Sequence, residues 1–286
     1  MVRIKVPGTT ANLGPAFDTA GMAFEIYNYF DFYESDEPKN FEEDNLIYIS
    51  AKKVYDYLGK DISSMNFKVE GEVPQSRGLG SSATCIVGGI VGANLLLGNL
   101  LSQQEILNLA TELEGHPDNV APALLGGCVF STMDGENVLY QRIEGMENLT
   151  CFLAIPDFPL ETRLAREALP DSLTYKETVS NISQIAFLIN GLRESNLDDF
   201  LVGTKDNIHE PYRKELIHGF DQMKKIEEEY KGRMLISGAG PTLLFVTDGQ
   251  VDQEELIKKW EEIAEKTGEK WKILSAPIDH EGTKEI

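Results

Sequence analysis

Residues 77–101 constrain the fold more than any other stretch. A glycine- and serine-rich run, Arg77-Gly78-Leu79-Gly80-Ser81-Ser82-Ala83-Thr84, leads straight into an uncharged apolar segment at 85–101. That segment must be buried. It carries Asn94 and Asn99, falls short of the roughly 20 residues that span a bilayer, and follows a glycine loop, so a helix packed on a sheet is expected. The spacing of Gly88 and Gly92 also fits a helix-dimer motif in membranes, but the flanks do not. In front of the helix, the loop places backbone amides and two hydroxyls where a helix N-terminus binds anions. It is not a Walker A loop, and it lacks the third glycine of a dinucleotide fingerprint. A plain turn with a serine N-cap would use the same residues, so the loop alone leaves both readings open.

The chain has 286 residues, 42% hydrophobic and 26% charged, which suits about two globular domains. Lys+Arg 26 against Asp+Glu 47 gives a formal net charge of −21, a field that repels phosphate backbones and anionic headgroups. Nucleic acid and membranes are therefore not expected partners. Cys85, Cys128 and Cys151 are an odd number without metal-ligand spacing, which argues against a disulfide framework and for a cytoplasmic setting. Residues 1–11 lack the apolar core of a secretion signal.

Extended segments are expected at 3–6 and 25–33, a helix at 45–58, and alternation again at 67–73. Ser102 and Glu105 have capping-box spacing and open a helix over 102–114, followed by a loop at 116–119. A new apolar strand at 150–155, trailed by Pro156 and Pro159, marks a boundary between residues 1–149 and 150–286. The second part predicts helices at 179–193, 220–230 and 253–266, with strands at 234–237, 243–246 and 272–275. Two helices on a mostly antiparallel sheet would account for it, an α+β arrangement.

Three further segments could carry chemistry. Residues 7–21 place an asparagine and an aspartate in what reads as a long loop, where Asx turns are the plainer explanation. Residues 237–242 are a second glycine segment; a tight strand-to-helix turn would need the same residues. Glu114, His116, Asp118 and Asn119 crowd two carboxylates at a helix C-terminus, where negative charge is disfavoured. A divalent cation would compensate, although Glu114 could be solvated and Asp118 could cap the next helix.

Taken together and in order, PGTTANLGPAFDTAG (7–21), VPQSRGLGSSAT (73–84), EGHPDNVAPALLGG (114–127) and SGAGPTLLF (237–245) closely resemble the GHMP family of small-molecule kinases. ETRLAREALP (161–170) and DNIHEPYR (206–213) make the chain most similar to the branch of that family that phosphorylates homoserine. Ala16 stands where the family usually has glycine, Gln75-Ser76 replaces a more apolar pair, and Thr84 replaces alanine.

The resemblance implies a two-domain α+β fold, with an N-terminal ribosomal-S5-domain-2-like domain, a C-terminal ferredoxin-like domain, and ligands in the cleft between. It implies ATP at Arg77, Gly78, Leu79, Gly80, Ser81 and Ser82, and Mg²⁺ at Ser82 and Glu114. Asn119 joins Ser82 and Glu114 as a catalytic residue. Asn12, Asp18, His116, Asp118, Thr162, Arg166 and Arg213 fall on the substrate side, and Gly238 to Pro241 pack nearby. An adenine pocket at Asn45 to Tyr48 is a weaker expectation from position alone.

The implied activity is ATP-dependent phosphorylation of the homoserine hydroxyl, in threonine biosynthesis. Arg166 and Arg213 suit a substrate carboxylate and Asp18 an ammonium. The resemblance leaves the catalytic base, the adenine contacts, inhibition by threonine and a homodimer open. A family member acting on mevalonate, a sugar or a shikimate-type alcohol is the nearest rival, and Arg166 and Arg213 discriminate against it, because a sugar offers no carboxylate for two guanidinium groups. A non-catalytic sensor on this fold would not need Ser82 and Glu114, and a serine hydrolase would need a Gly-x-Ser-x-Gly elbow that is absent.

Overall fold

The computed structural model describes residues 1–35 and 41–286. Its N-terminal strands, β1 (Val2–Leu13) and β2 (Ala16–Glu34), form one long antiparallel hairpin. Residues 7–21, which read as a loop, are mostly paired strand, and Gly14 and Pro15 alone make the turn. The loop-like residues are absorbed as irregularities instead. Register shifts follow Pro7 and Ala11, and Asn12 and Asp18 sit at φ of 60° and 51°, a region their short polar side chains tolerate.

Asn45 accepts a hydrogen bond from the Ile47 N–H and opens α1 (Leu46–Tyr57), after which β3 (Met65–Gly71) joins β2. The apolar helix is α2 (Ser81–Leu96), laid directly on β2. A Cβ on Gly88 would fall 2.8 Å from the Phe30 ring, and one on Gly92 would collide with Phe32. The glycine spacing therefore serves close helix-on-sheet packing. Phe30 and Phe32 are fully buried, worth roughly 1.5–3 kcal/mol each. Among the described residues, no helix is long and apolar enough to cross a membrane.

The capping box of Ser102 and Glu105 forms as expected and opens α3 (Gln103–Glu114). Residues 116–119 are not a loop. They start α4 (Pro117–Leu125), because proline at the first helical position has its φ pre-set and Asp118 in the first turn meets the positive end of the helix. β4 (Cys128–Asp134) and β5 (Asn137–Ile143) add a hairpin that the sequence reading left unassigned.

A second sheet begins with β6 (Leu149–Pro156). The chain then passes through α5 (Thr162–Glu167), α6 (Tyr175–Arg193), α7 (Leu197–Gly203), α8 (Glu210–Arg213), α9 (Phe220–Met223) and α10 (Ile226–Glu229). It returns as β7 (Gly232–Ile236), β8 (Leu243–Asp248), α11 (Gln253–Ala264) and β9 (Trp271–Ser275), before a short β10 (Lys284–Glu285). The order β7-β8-β6-β9 is antiparallel throughout, the split βαβ pattern of ferredoxin-like sheets.

The single helix expected at 220–230 is broken into α9 and α10. Between them the backbone tightens to i→i+3 bonds, from Glu227 N to Lys224 O and Glu228 N to Lys225 O, both 3.0 Å. The buried Phe220, Met223 and Ile226 lie three apart, which a 3₁₀ turn aligns on one face.

The two sheets share an apolar layer in which Met22, Phe24 and Cys128 pack with Leu153, Leu188 and Leu244. The tail, grouped by sequence with 150–286, turns back to the first sheet: β10 pairs with β1, and Asp279 N donates to Ala23 O at 3.0 Å.

Candidate active site

α2 starts in a left-handed N-cap, Gly80 (φ 64°), with no side chain capping it. The N–H groups of its first turn have no intrahelical acceptor, and Gly80, Ser81 and Ser82 line a cleft of about 670 Å³. Gly78 also has a left-handed φ, 74°, and a Cβ on it would collide with the carbonyl of Ser237.

The neighbour is the 237–242 segment, which joins two strands, β7 and β8, rather than a strand and a helix. It clasps the loop from the second sheet. Ser237 Oγ donates to Gly78 O at 2.6 Å, Thr242 N to Arg77 O at 3.3 Å, and Gly238 N to Ala11 O at 3.0 Å. The Arg77 guanidinium is already engaged, donating to the carbonyls of Pro156 (2.9 Å), Gln75 (3.1 Å) and Asp157. It ties the loop to β6. Leu79 is buried in the core and meets the site only through its backbone, its carbonyl accepting from Thr9 N.

Beside the loop, Ser82 Oγ donates to Glu114 Oε2 at 2.9 Å. Burial pushes the Glu114 carboxyl up, only partly offset by that hydroxyl and by His116. A carboxylate drawn out of water, with one hydroxyl as its hydrogen-bond partner at a helix C-terminus, is a donor set that fits a divalent cation. His116 Nδ1 bonds Asp118 Oδ1, which raises the imidazole pKa. Asp118 is fully buried, and among the described residues its Oδ2 has no hydrogen-bond partner.

At the far end, Asp18 takes both terminal nitrogens of Arg166, at 2.9 and 3.0 Å. Asn12 shapes this corner, accepting from Asp18 N at 2.8 Å and donating to Gly238 O at 3.0 Å. Arg213 is only 1% exposed. It donates to two carbonyls, Ala165 O (3.1 Å) and Gly238 O (3.0 Å), and among the described residues it bonds no carboxylate. Burial, then the neighbouring Arg166, pushes its pKa down to about 10. Both guanidinium groups lie over the same Phe17 ring, 5.4 and 5.0 Å from its centroid.

The cleft therefore gathers nearly every residue that the sequence singled out. Asn12, Asp18, Arg77, Gly78, Gly80, Ser81, Ser82, Glu114, His116, Asn119, Thr162, Arg166 and Arg213 all line it. Leu79 and Asp118 support it from within the protein. Asn45, Leu46 and Ile47 line its other end, whereas Tyr48 is buried in the first core. Two residues went unnoticed in the sequence. Thr9 donates from its hydroxyl to Asn119 Oδ1 at 2.8 Å, and Phe17 carries both arginines. Both fall inside the 7–21 motif, but their contacts are to residues more than 100 positions away.

Residues 45–127 match the model of the GHMP kinase N-terminal domain. Over 99% of its length the chain is 39% identical to homoserine kinase of Clostridium botulinum (strain Langeland), covering 98% of that protein. The chain belongs to the homoserine kinases. Homoserine kinase of Clostridium beijerinckii is likewise 39% identical, over 99% of this chain and 97% of the relative. The crystal structure of homoserine kinase from Cytophaga hutchinsonii superposes with a TM-score of 0.89 at 25% identity, covering 100% of this chain and 97% of that one. The α+β architecture described above is thus the GHMP kinase fold, and the chain is a kinase.

Proposed function

We propose that the chain transfers the γ-phosphoryl group of ATP to the hydroxyl of L-homoserine, giving O-phospho-L-homoserine for threonine biosynthesis in the cytoplasm. The observation that carries this reading is Arg213, a buried guanidinium with no carboxylate bonded to it, next to Arg166 at the edge of the cleft. Asp18, Asp118 and Asp206 favour the Arg213 charge only through space, and burial together with Arg166 outweighs them, so a substrate carboxylate bonded to it would relieve the cost.

In this reading residues 1–149 build the ATP side, and residues 150–286 supply Thr162, Arg166 and Arg213. Amides at the start of α2 hold the phosphates, with Arg77 fixing the loop. Ser82 and Glu114 would hold Mg²⁺, which when bound cancels charge on the transferring phosphoryl group. Homoserine is a zwitterion, and the Arg166–Asp18 pair already presents one partner for each of its charges. The substrate carboxylate forks onto Arg166 and Arg213, and the ammonium takes Asp18, with Asn12 holding the Asp18 backbone in place. Asp118, with one free buried oxygen, and His116 close the substrate pocket beside Asn119. What these residues supply is orientation of the hydroxyl against the phosphoryl group and exclusion of water.

The test is Mg²⁺-dependent ADP formation over a panel of homoserine, mevalonate, galactose and shikimate. Homoserine alone should support turnover. Equal turnover of mevalonate or galactose would sink the homoserine assignment and leave the kinase class standing.

A further inference from the structure

Thr9 lies on β1 with no exposed surface. Its hydroxyl donates to Asn119 Oδ1 at 2.8 Å, and its N–H donates to Leu79 O at 3.1 Å. The same hydroxyl occupies the space over Gly80, where a Cβ would collide with Thr9 Oγ1 and sit 3.2 Å from Asn119 Oδ1. One hydroxyl thus joins β1, the N-cap of α2 and the first turn of α4. Gly80 is needed for this contact as well as for its left-handed φ.

The side-chain amide of Asn119 has two unlike ends. Were it turned the other way, Nδ2 would meet Thr9 and the buried threonine O–H would lose its acceptor. The bond therefore fixes the oxygen inward. Nδ2 is the end left for the cleft that Asn119 lines, and among the described residues it has no acceptor.

We propose that Thr9 is a positioning residue for phosphoryl transfer, holding Asn119 so that its Nδ2 donates to an oxygen of the transferring phosphoryl group. This rests on the reading of the cleft as the kinase site. A donor fixed before the reaction stabilises charge that develops there at no cost in reorganisation. A flipped amide would instead turn its oxygen on an anion.

Thr9→Val keeps the side-chain volume and removes the hydroxyl, whereas Thr9→Ser keeps the hydroxyl and removes a buried methyl. The two are compared in steady-state kinetics and in thermal melts. Thr9→Val should lower kcat about tenfold or more, with KM for ATP and for homoserine within about twofold of wild type. Thr9→Ser should keep kcat within about threefold even where its Tm falls. Activity then follows the hydroxyl and not the stability. Should the valine variant not fold, Thr9→Ala gives the same contrast with serine. Wild-type kcat in a folded variant without the hydroxyl, or equal losses with and without it, overturns the role of Thr9. Asn119→Ala separates this from the site reading: it should lose activity, and adding Thr9→Val to it should cost little more. Wild-type kcat in Asn119→Ala overturns the reading of Asn119 itself, and an impaired Asn119→Ala beside a normal Thr9→Val overturns Thr9 alone.

Discussion

His209 shows how a single buried side chain supports the substrate end. Its Nε2–H donates to the Gly14 carbonyl at 2.9 Å, and its ring packs on Phe17, centroids 5.6 Å apart. It steadies both the tip of the first hairpin and the ring beneath the two arginines. Its Nδ1 is buried and among the described residues has no hydrogen-bond partner, which suits the unprotonated nitrogen of a neutral imidazole better than a second N–H. Asp206 at 3.7 Å favours the charged form, but burial outweighs it, and Arg213 opposes protonation too, so the pKa lies below 6.5. The unfolded chain then takes up a proton near pH 6.5 while the folded protein does not, and stability falls as pH drops below that value. His116 works in the opposite sense above pH 6.5, since Asp118 raises its pKa. Thermal melts of wild type and His209→Gln between pH 7 and 5.5 isolate the effect. The wild-type Tm should fall more steeply, and parallel curves would contradict the assignment. His209 was visible in the sequence only as part of the 206–213 motif. Its contact to Gly14 spans 195 positions, beyond what local pattern can reveal.

Elements were legible where one local rule decided them and illegible where a distant surface did. The capping box before α3 and the apolar content of α2 depend on neighbours in sequence, and both were expected. Residues 7–21 failed because Pro, Gly and Asn normally signal a loop, whereas here two long strands, held from α2 and α4, force them into a hairpin. Gly78 and Gly98 make the same point energetically. Both have left-handed φ, 74° and 96°, but nothing lies within 4 Å of a Cβ on Gly98, whereas Gly78 abuts the backbone of the β7–β8 turn. Gly98→Ala should cost roughly 1–2 kcal/mol from backbone strain alone. Gly78→Ala should cost at least about 2 kcal/mol more, because a backbone carbonyl must move. Denaturant unfolding of the two variants checks this, and equal losses would mean that the turn does not clasp the loop.

At the scale of the whole molecule, the cleft is assembled from both sheets. The phosphate loop belongs to the first, but Ser237 and Thr242 of the second hold its backbone. Asp18 belongs to the first, but Arg166 of the second meets it. Sequence order separates these pairs by 148 positions or more, so only the recurrence of several motifs pointed to one site. The net charge of −21 makes two cations over one ring conspicuous, because most of the surface would repel a carboxylate.

Those two cations read the carboxylate of an amino-acid alcohol in the proposed function. The most direct measurement is the wild-type kcat/KM for homoserine against that for 3-aminopropan-1-ol, which keeps the hydroxyl and the ammonium and lacks only the carboxylate. Losing two charge-assisted contacts at roughly 1.5–3 kcal/mol each predicts a fall of at least about a hundredfold. Comparable kcat/KM values for the two alcohols would contradict it.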